Sequence, residues 1–189
     1  MGRALTTRGA VMVALATATA LLSGCAPTAP PAAEPPPTIS QPIFASDEEA
    51  LAAAEAAYAR YLAVSDQIAQ DGGKNPERID ALAESAARDL VYASAQQYID
   101  ANAHLVGSTV LSSVELQESQ TSIDGRATIS IYACVDVSNV DVINQDGDSL
   151  VTGSRPDKQA FEVLMAGASA GSLLVESQDV WTGESICTL

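Results

Sequence analysis

Between residues 51 and 68 apolar, aromatic and small side chains return at steps of three and four, with Leu51, Ala54, Tyr58, Tyr61, Leu62, Ser65 and Ile68 on one stripe. That period belongs to an α-helix with one buried face. Ser46-Asp47-Glu48-Glu49 precedes the stripe with the spacing of a capping box, Ser46 as N-cap and Glu49 three residues on, and Gly72-Gly73 ends it. Asn75-Pro76 opens a second helical stretch, where proline at the first position lacks only an N–H that has no helical partner. Ile79 and Leu82 face inward there. The stripe continues through Ala86, Leu90, Ala93 and Tyr98 towards Ala101, with a break near Glu84 or Ser85 into a short helix and a longer one.

After Gly107 the period shortens to that of a strand. Val110, Ser112, Val114 and Leu116 alternate with polar neighbours in a strand from Thr109 to Ser119, and Asp124-Gly125 marks a hairpin turn. The next stretch, TISIYACVDV, places Ile129, Ile131, Ala133, Val135 and Val137 on one face. Thr128, Ser130, Tyr132, Cys134 and Asp136 occupy the other, which suits a solvent-facing surface. Asp146-Gly147 marks a further turn, and strands follow from Gln159 to Ala168 and from Ser172 to Trp181. Helices first and an antiparallel meander afterwards predict an α+β domain over 47–189, with the helices covering one sheet face.

Ahead of this domain the chain is patterned differently. Arg3 and Arg8 precede an apolar run from Ala10 to Leu22, which is the layout of a secretory signal over residues 1–24. As a helix that run would extend about 20 Å, short of a ~30 Å hydrocarbon core, so a stable transmembrane span is not expected. Leu22-Ser23-Gly24-Cys25 resembles the bacterial lipobox, in which diacylglycerol is attached to the cysteine and cleavage occurs just before it. By that resemblance Cys25 is the lipid attachment site and the first residue of the mature protein. The protein is then anchored on the extracytoplasmic face of the cell membrane, and a diacyl anchor supplies the two chains that stable attachment requires. The alternative is an ordinary secretory signal with a cysteine near its end by chance. Residues 25–46 form the tether: Ala26 to Pro42 holds seven of the nine prolines and favours an extended, semi-rigid spacer.

Composition narrows the partners. The net charge of −15 includes the two arginines of the signal, so cleavage would take it to −17. Such a surface repels phosphate backbones, and nucleic acid is excluded as a partner. A specific cationic partner remains the sharper reading of the acidity, and solubility the simpler one. With 47% hydrophobic residues the chain has the apolar content to build a core.

Three helical segments, a four-stranded sheet, Cys134-Val135-Asp136-Val137 within one strand and Trp181-x-Gly183-x-x-x-Cys187 at the end resemble the nuclear transport factor 2-like family, more narrowly its small lipoproteins in high-GC Gram-positive bacteria. The resemblance implies a cone in which helices pack on a curved antiparallel sheet, as in cystatin-like folds. It implies a cavity used either for catalysis or for binding a ligand or a protein. Tyr58, Tyr61, Tyr98 and Trp181 are the candidate pocket residues; Trp181 has packing beside the cysteines as its simpler role.

Once Cys25 is assigned to lipid, Cys134 and Cys187 remain as an even pair in an oxidising compartment, where a disulfide is expected; free buried thiols or a metal site are the alternatives. One histidine and no CxxC motif argue against zinc. Asp141-x-x-Asn144-x-Asp146-Gly147-Asp148 offers oxygen ligands of the kind calcium uses, but lacks the downstream glutamate of an EF-hand and coincides with a turn. No metal or cofactor is expected. The primary expectation is a non-catalytic, envelope-associated domain that binds a small apolar ligand or an envelope protein, with oligomerisation left open. The alternative is a small cavity enzyme of isomerase or dehydratase type, using Asp136 or His104 as its base.

Overall fold

The computed structural model describes residues 42–184 and 186–188; the signal segment, Cys25 and the spacer up to residue 41 lie outside them. Helix α1 spans Asp47–Gln70. Ser46 Oγ accepts the Glu49 N–H at 3.3 Å, and Glu49 Oε2 accepts the N–H of Ala45 at 2.9 Å, one residue before the donor a capping box uses. At the other end Gly72 and Gly73 turn left-handed, with φ of 69° and 80°, and the Gly73 N–H closes onto Ile68 O at 2.8 Å. The apolar core already takes in Phe44 and Ile43, so the packed domain begins ahead of the boundary expected at Asp47.

A short 3₁₀ helix over Pro76–Ala81 and helix α2 over Ser85–Ala101 follow, with the expected break between them. The buried face of α2 is Ala87, Val91 and Ala95, whereas Leu90 is 48% exposed, so the expected stripe of Ala86, Leu90 and Ala93 is displaced, by one residue at its first two positions and by two at the third. The cause is local. Ser85 has φ of 52°, and this bend restarts the helical phase, so the phase set by Ile79 and Leu82 does not carry through it.

Among the described residues six strands follow: β1 (Ala103–Val106), β2 (Val110–Thr121), β3 (Ala127–Asp136), β4 (Asp141–Asn144), β5 (Lys158–Gly167) and β6 (Leu174–Val180). Strands β2, β3, β5 and β6 form, in that order, a curved antiparallel sheet, and β1 pairs with β4 in a separate two-stranded one. The second sheet was not expected. In β2 the register slips between Leu111 and Ser113 and again between Leu116 and Glu118, so Leu111, Val114 and Leu116 meet the core while Val110 is 51% exposed. A bulge places two residues opposite one, which breaks the strict alternation expected from the sequence.

Helices α1 and α2 cover the sheet face bearing Ile129, Ile131, Ala133, Val163 and Met165, all fully buried, and this layer is the main core. The result is the α+β cone expected of a nuclear transport factor 2-like domain. The edge of β6 is partly closed, because Glu84 N–H donates to Val175 O and Val175 N–H to Leu82 O, each at 2.9 Å. A second cluster joins Ala69, Leu105 and Val140 to Tyr98. A third lies on the outer sheet face, where the C-terminal turn folds back over Cys134 and Ala160.

Candidate functional site

The C-terminal half of α1, the middle of α2 and the sheet across β3, β5 and β6 do not close completely, and a cleft of about 430 Å³ remains between them. Leu62, Leu90, Val91, Val135, Val137 and Phe161 supply its apolar walls. The alternation of β3 points Val135 inward, and the loop ahead of β5 brings Arg155 and Pro156 to the rim.

Most polar atoms around this cleft are already engaged. Asp66, 9% exposed, accepts the Thr109 N–H and the Thr109 hydroxyl at 2.7 Å each, which ties α1 to the start of β2. Ser65 donates to Tyr61 O at 2.8 Å, as a helical serine with no external partner does. Gln178 accepts from the Tyr58 hydroxyl at 2.6 Å, and Gln159 donates to Ala160 O at 3.0 Å.

The expected pocket residues do not come together. Tyr58 and Tyr61 stack at 5.9 Å between ring centroids inside the main core, and of the two only Tyr61 lines the cleft. Tyr98 is half-buried in the second cluster. Trp181 lies on the far side of the sheet, its ring 4.5 Å from that of Tyr132 and its indole N–H donated to Glu184 O at 2.9 Å. The strand alternation that sends Val135 inward sends Tyr132 outward, and Trp181 follows Tyr132. There it packs beside Cys134 and Cys187, which form a disulfide joining β3 to the C-terminal turn.

His104 is exposed on β1 and lines a different, open groove with Lys74 and Asn102. Asp136 ends β3 on the outer face, where hydrogen bonds from Ser138 hold its carboxyl below the usual carboxylate range, a poor setting for a base near neutral pH. In the calcium-like stretch Asn144 Oδ1 accepts the N–H groups of Asp146 and Asp148 at 2.9 Å, and Asp141 accepts from Ser149 Oγ at 2.6 Å; these atoms build the turn. Among the described residues no three His, Cys, Asp or Glu side chains gather as metal ligands. Asp66 and Arg155 were missed in the sequence. Asp66 follows Leu62 by four residues and so falls on the apolar stripe, a signal that was there to read; Arg155 has none.

Burial pushes the Tyr61 phenol up to about 12 and the Tyr58 phenol higher still. In the unfolded chain both ionise near pH 10. The unfolded state therefore loses these protons first, and their contribution, complete below pH ~10, is lost as pH rises above it. Alkaline titration is expected to show two tyrosines ionising only as the circular dichroism signal collapses. Ionisation of all tyrosines near pH ~10 with the fold intact would contradict this placement.

No family model matches the chain, and no curated protein matches it. Among solved structures it is similar to the periplasmic fragment of TraM, at 14% identity over 72% of this chain and 98% of that one, with a TM-score of 0.47. It is also similar to Aln2 from a Streptomyces species, at 19% identity over 72% of this chain and 92% of that one, with a TM-score of 0.37. The intermembrane space region of the chloroplast protein ARC6 matches at 10% identity over 69% of this chain and 95% of that one, with a TM-score of 0.50. At that identity the likeness is one of fold, and the chain shares with the ARC6 region an α+β architecture of helices on an antiparallel sheet.

Proposed function

We propose that this protein is a lipid-anchored extracytoplasmic binding protein of the cell envelope, held to the membrane by Cys25 and using the cleft between α1, α2 and the sheet to bind an apolar ligand without chemistry. One observation carries the cleft reading: the cleft has apolar walls, and its carboxylate, Asp66, is already bound by Thr109 through both oxygens. A cavity enzyme needs an acid or base facing its substrate, and neither His104 nor Asp136 lines the cleft.

Two measurements test the proposal. In a bacterium that processes lipoproteins, the wild-type protein is expected in the detergent phase and Cys25→Ser in the aqueous phase; a wild type that stays aqueous sinks the anchor. For the cleft the probe is the neutral fluorophore N-phenylnaphthylamine, chosen because an acidic protein repels anionic dyes. Its emission is expected to rise with wild type and not with Ser94→Phe, whose ring would fill the space beside Val91 while leaving the core cluster untouched. Equal enhancement by both proteins, with equal melting temperatures, removes the cleft as the site.

A further inference from the structure

Arg155 reaches the cleft from the loop ahead of β5, and its side chain is half-buried. Its Nη2 donates to Val137 O at 2.9 Å and to Val140 O at 2.7 Å, which holds the guanidinium in place. Those bonds use one nitrogen of a group with five N–H donors. Among the described residues Nε and Nη1 have no protein acceptor, and every fully buried side-chain nitrogen or oxygen there has a partner. Nε and Nη1 are therefore not sealed in, and Arg155 is one of the residues that line the cleft.

One carboxylate, Asp66, and one cation, Arg155, line the cleft, and the two are not within ion-pair distance of each other. The ion pairs among the described residues engage Arg78, Arg88 and Arg126, while Arg60, Lys74 and Lys158 stand exposed in water. Arg155 is thus a half-buried cation without a carboxylate at ion-pair distance, in a chain of 24 acidic and 9 basic residues. Asp66 keeps its negative charge, but both of its oxygens are taken up by the N–H and hydroxyl of Thr109 and leave the guanidinium unpaired. A partly desolvated guanidinium with unused donors favours an anionic partner more than any neutral one, and a charge-assisted hydrogen bond is about twice as strong as a neutral one.

We propose that the cleft takes a carboxylate-headed apolar molecule with the size and shape of a medium-chain fatty acid. Its head accepts from Nε and Nη1 of Arg155, and its tail lies along Leu90, Val91, Val135 and Phe161. This rests on the ligand-binding reading of the cleft and names the class of ligand. A space of about 430 Å³ is within the range of small-molecule sites. The acidic remainder of the surface discourages carboxylates from settling elsewhere.

The test is displacement of N-phenylnaphthylamine by decanoate and by decanol, which share a tail and differ in the head. Wild type is expected to bind decanoate at least about tenfold more tightly, the scale of one charge-assisted hydrogen bond. Arg155→Gln should abolish that preference by weakening decanoate alone. Arg155→Lys, which keeps the charge and a donor for the Val137 and Val140 carbonyls, should retain part of it and covers the case in which Arg155→Gln fails to fold. Equal affinity of wild type for the two probes, or a folded Arg155→Gln that still prefers decanoate, overturns the proposal while leaving an apolar binding cleft in place. Failure of the fluorophore and of both probes to bind removes the cleft reading and this one with it.

Discussion

Replacing Cys134 by alanine is expected to lower stability by about 4 kcal/mol, the chain-entropy value for releasing a cross-link of 53 residues' separation. The bond carries more than entropy. It pins a C-terminal turn whose other holds are modest: Ser113 Oγ donates to Ile186 O at 3.1 Å, Trp181 lies on Tyr132, and Ile186 covers Cys134 and Ala160. Without it these contacts must be ordered against the freedom of a chain end. For a domain of this size the loss corresponds to a fall of about 10 °C in Tm. Calorimetry with and without reductant checks it. Wild type should drop on reduction to the value of the Cys134→Ala, Cys187→Ala double variant, which reductant should leave unchanged. A wild type indifferent to reductant means that the bond does not contribute.

Gly73→Ala is expected to cost about 3–5 kcal/mol, far more than the same change at its neighbour. Gly73 is buried with φ of 80°, and an added Cβ would stand 2.0 Å from Ala95 O and 2.8 Å from Ala95 C. Both are backbone atoms of α2, which cannot rotate away. The methyl group must therefore push α1 and α2 apart or undo the Gly73 to Ile68 hydrogen bond that ends α1. Gly72 has nearly the same conformation, φ of 69°, but its Cβ would meet nothing nearer than Ala103 O at 3.3 Å. Gly72→Ala should then cost the left-handed penalty, about 1–2 kcal/mol, with a shift of a few tenths of an ångström at Ala103 O. Denaturant midpoints of the two variants separate clash from conformation: equal losses would show that the two helices do not approach so closely. Because α1 and α2 are two walls of the cleft, a folded Gly73→Ala should also bind the fluorophore more weakly than Gly72→Ala does.

What the sequence determined by itself is local. Ser46 and Glu49 start α1 and Gly72-Gly73 stop it because each acts through hydrogen bonds and φ angles within a few residues. Ile129, Ile131, Ala133 and Val135 alternate because one face of β3 is buried along its whole length, and Asp124-Gly125 turns the hairpin with its own backbone. The α+β order was legible for the same reason, because it is the succession of local periods along the chain.

Tertiary structure alone decided the rest. Four-residue strands β1 and β4 carry no readable period, and each exists because the other lies beside it. The bulges of β2 and the bend at Ser85 displace a face, which no extrapolated period anticipates. The tyrosines and Trp181 are similar in chemistry, yet the sheet divides them between opposite faces. Asp66 and Arg155 became cleft residues only when Thr109 and the carbonyls of Val137 and Val140 came within hydrogen-bond distance. A polar side chain is buried or exposed according to whether the fold brings it partners, and those partners lie 43 residues away for Asp66 and 15 and 18 for Arg155, beyond the reach of any local pattern.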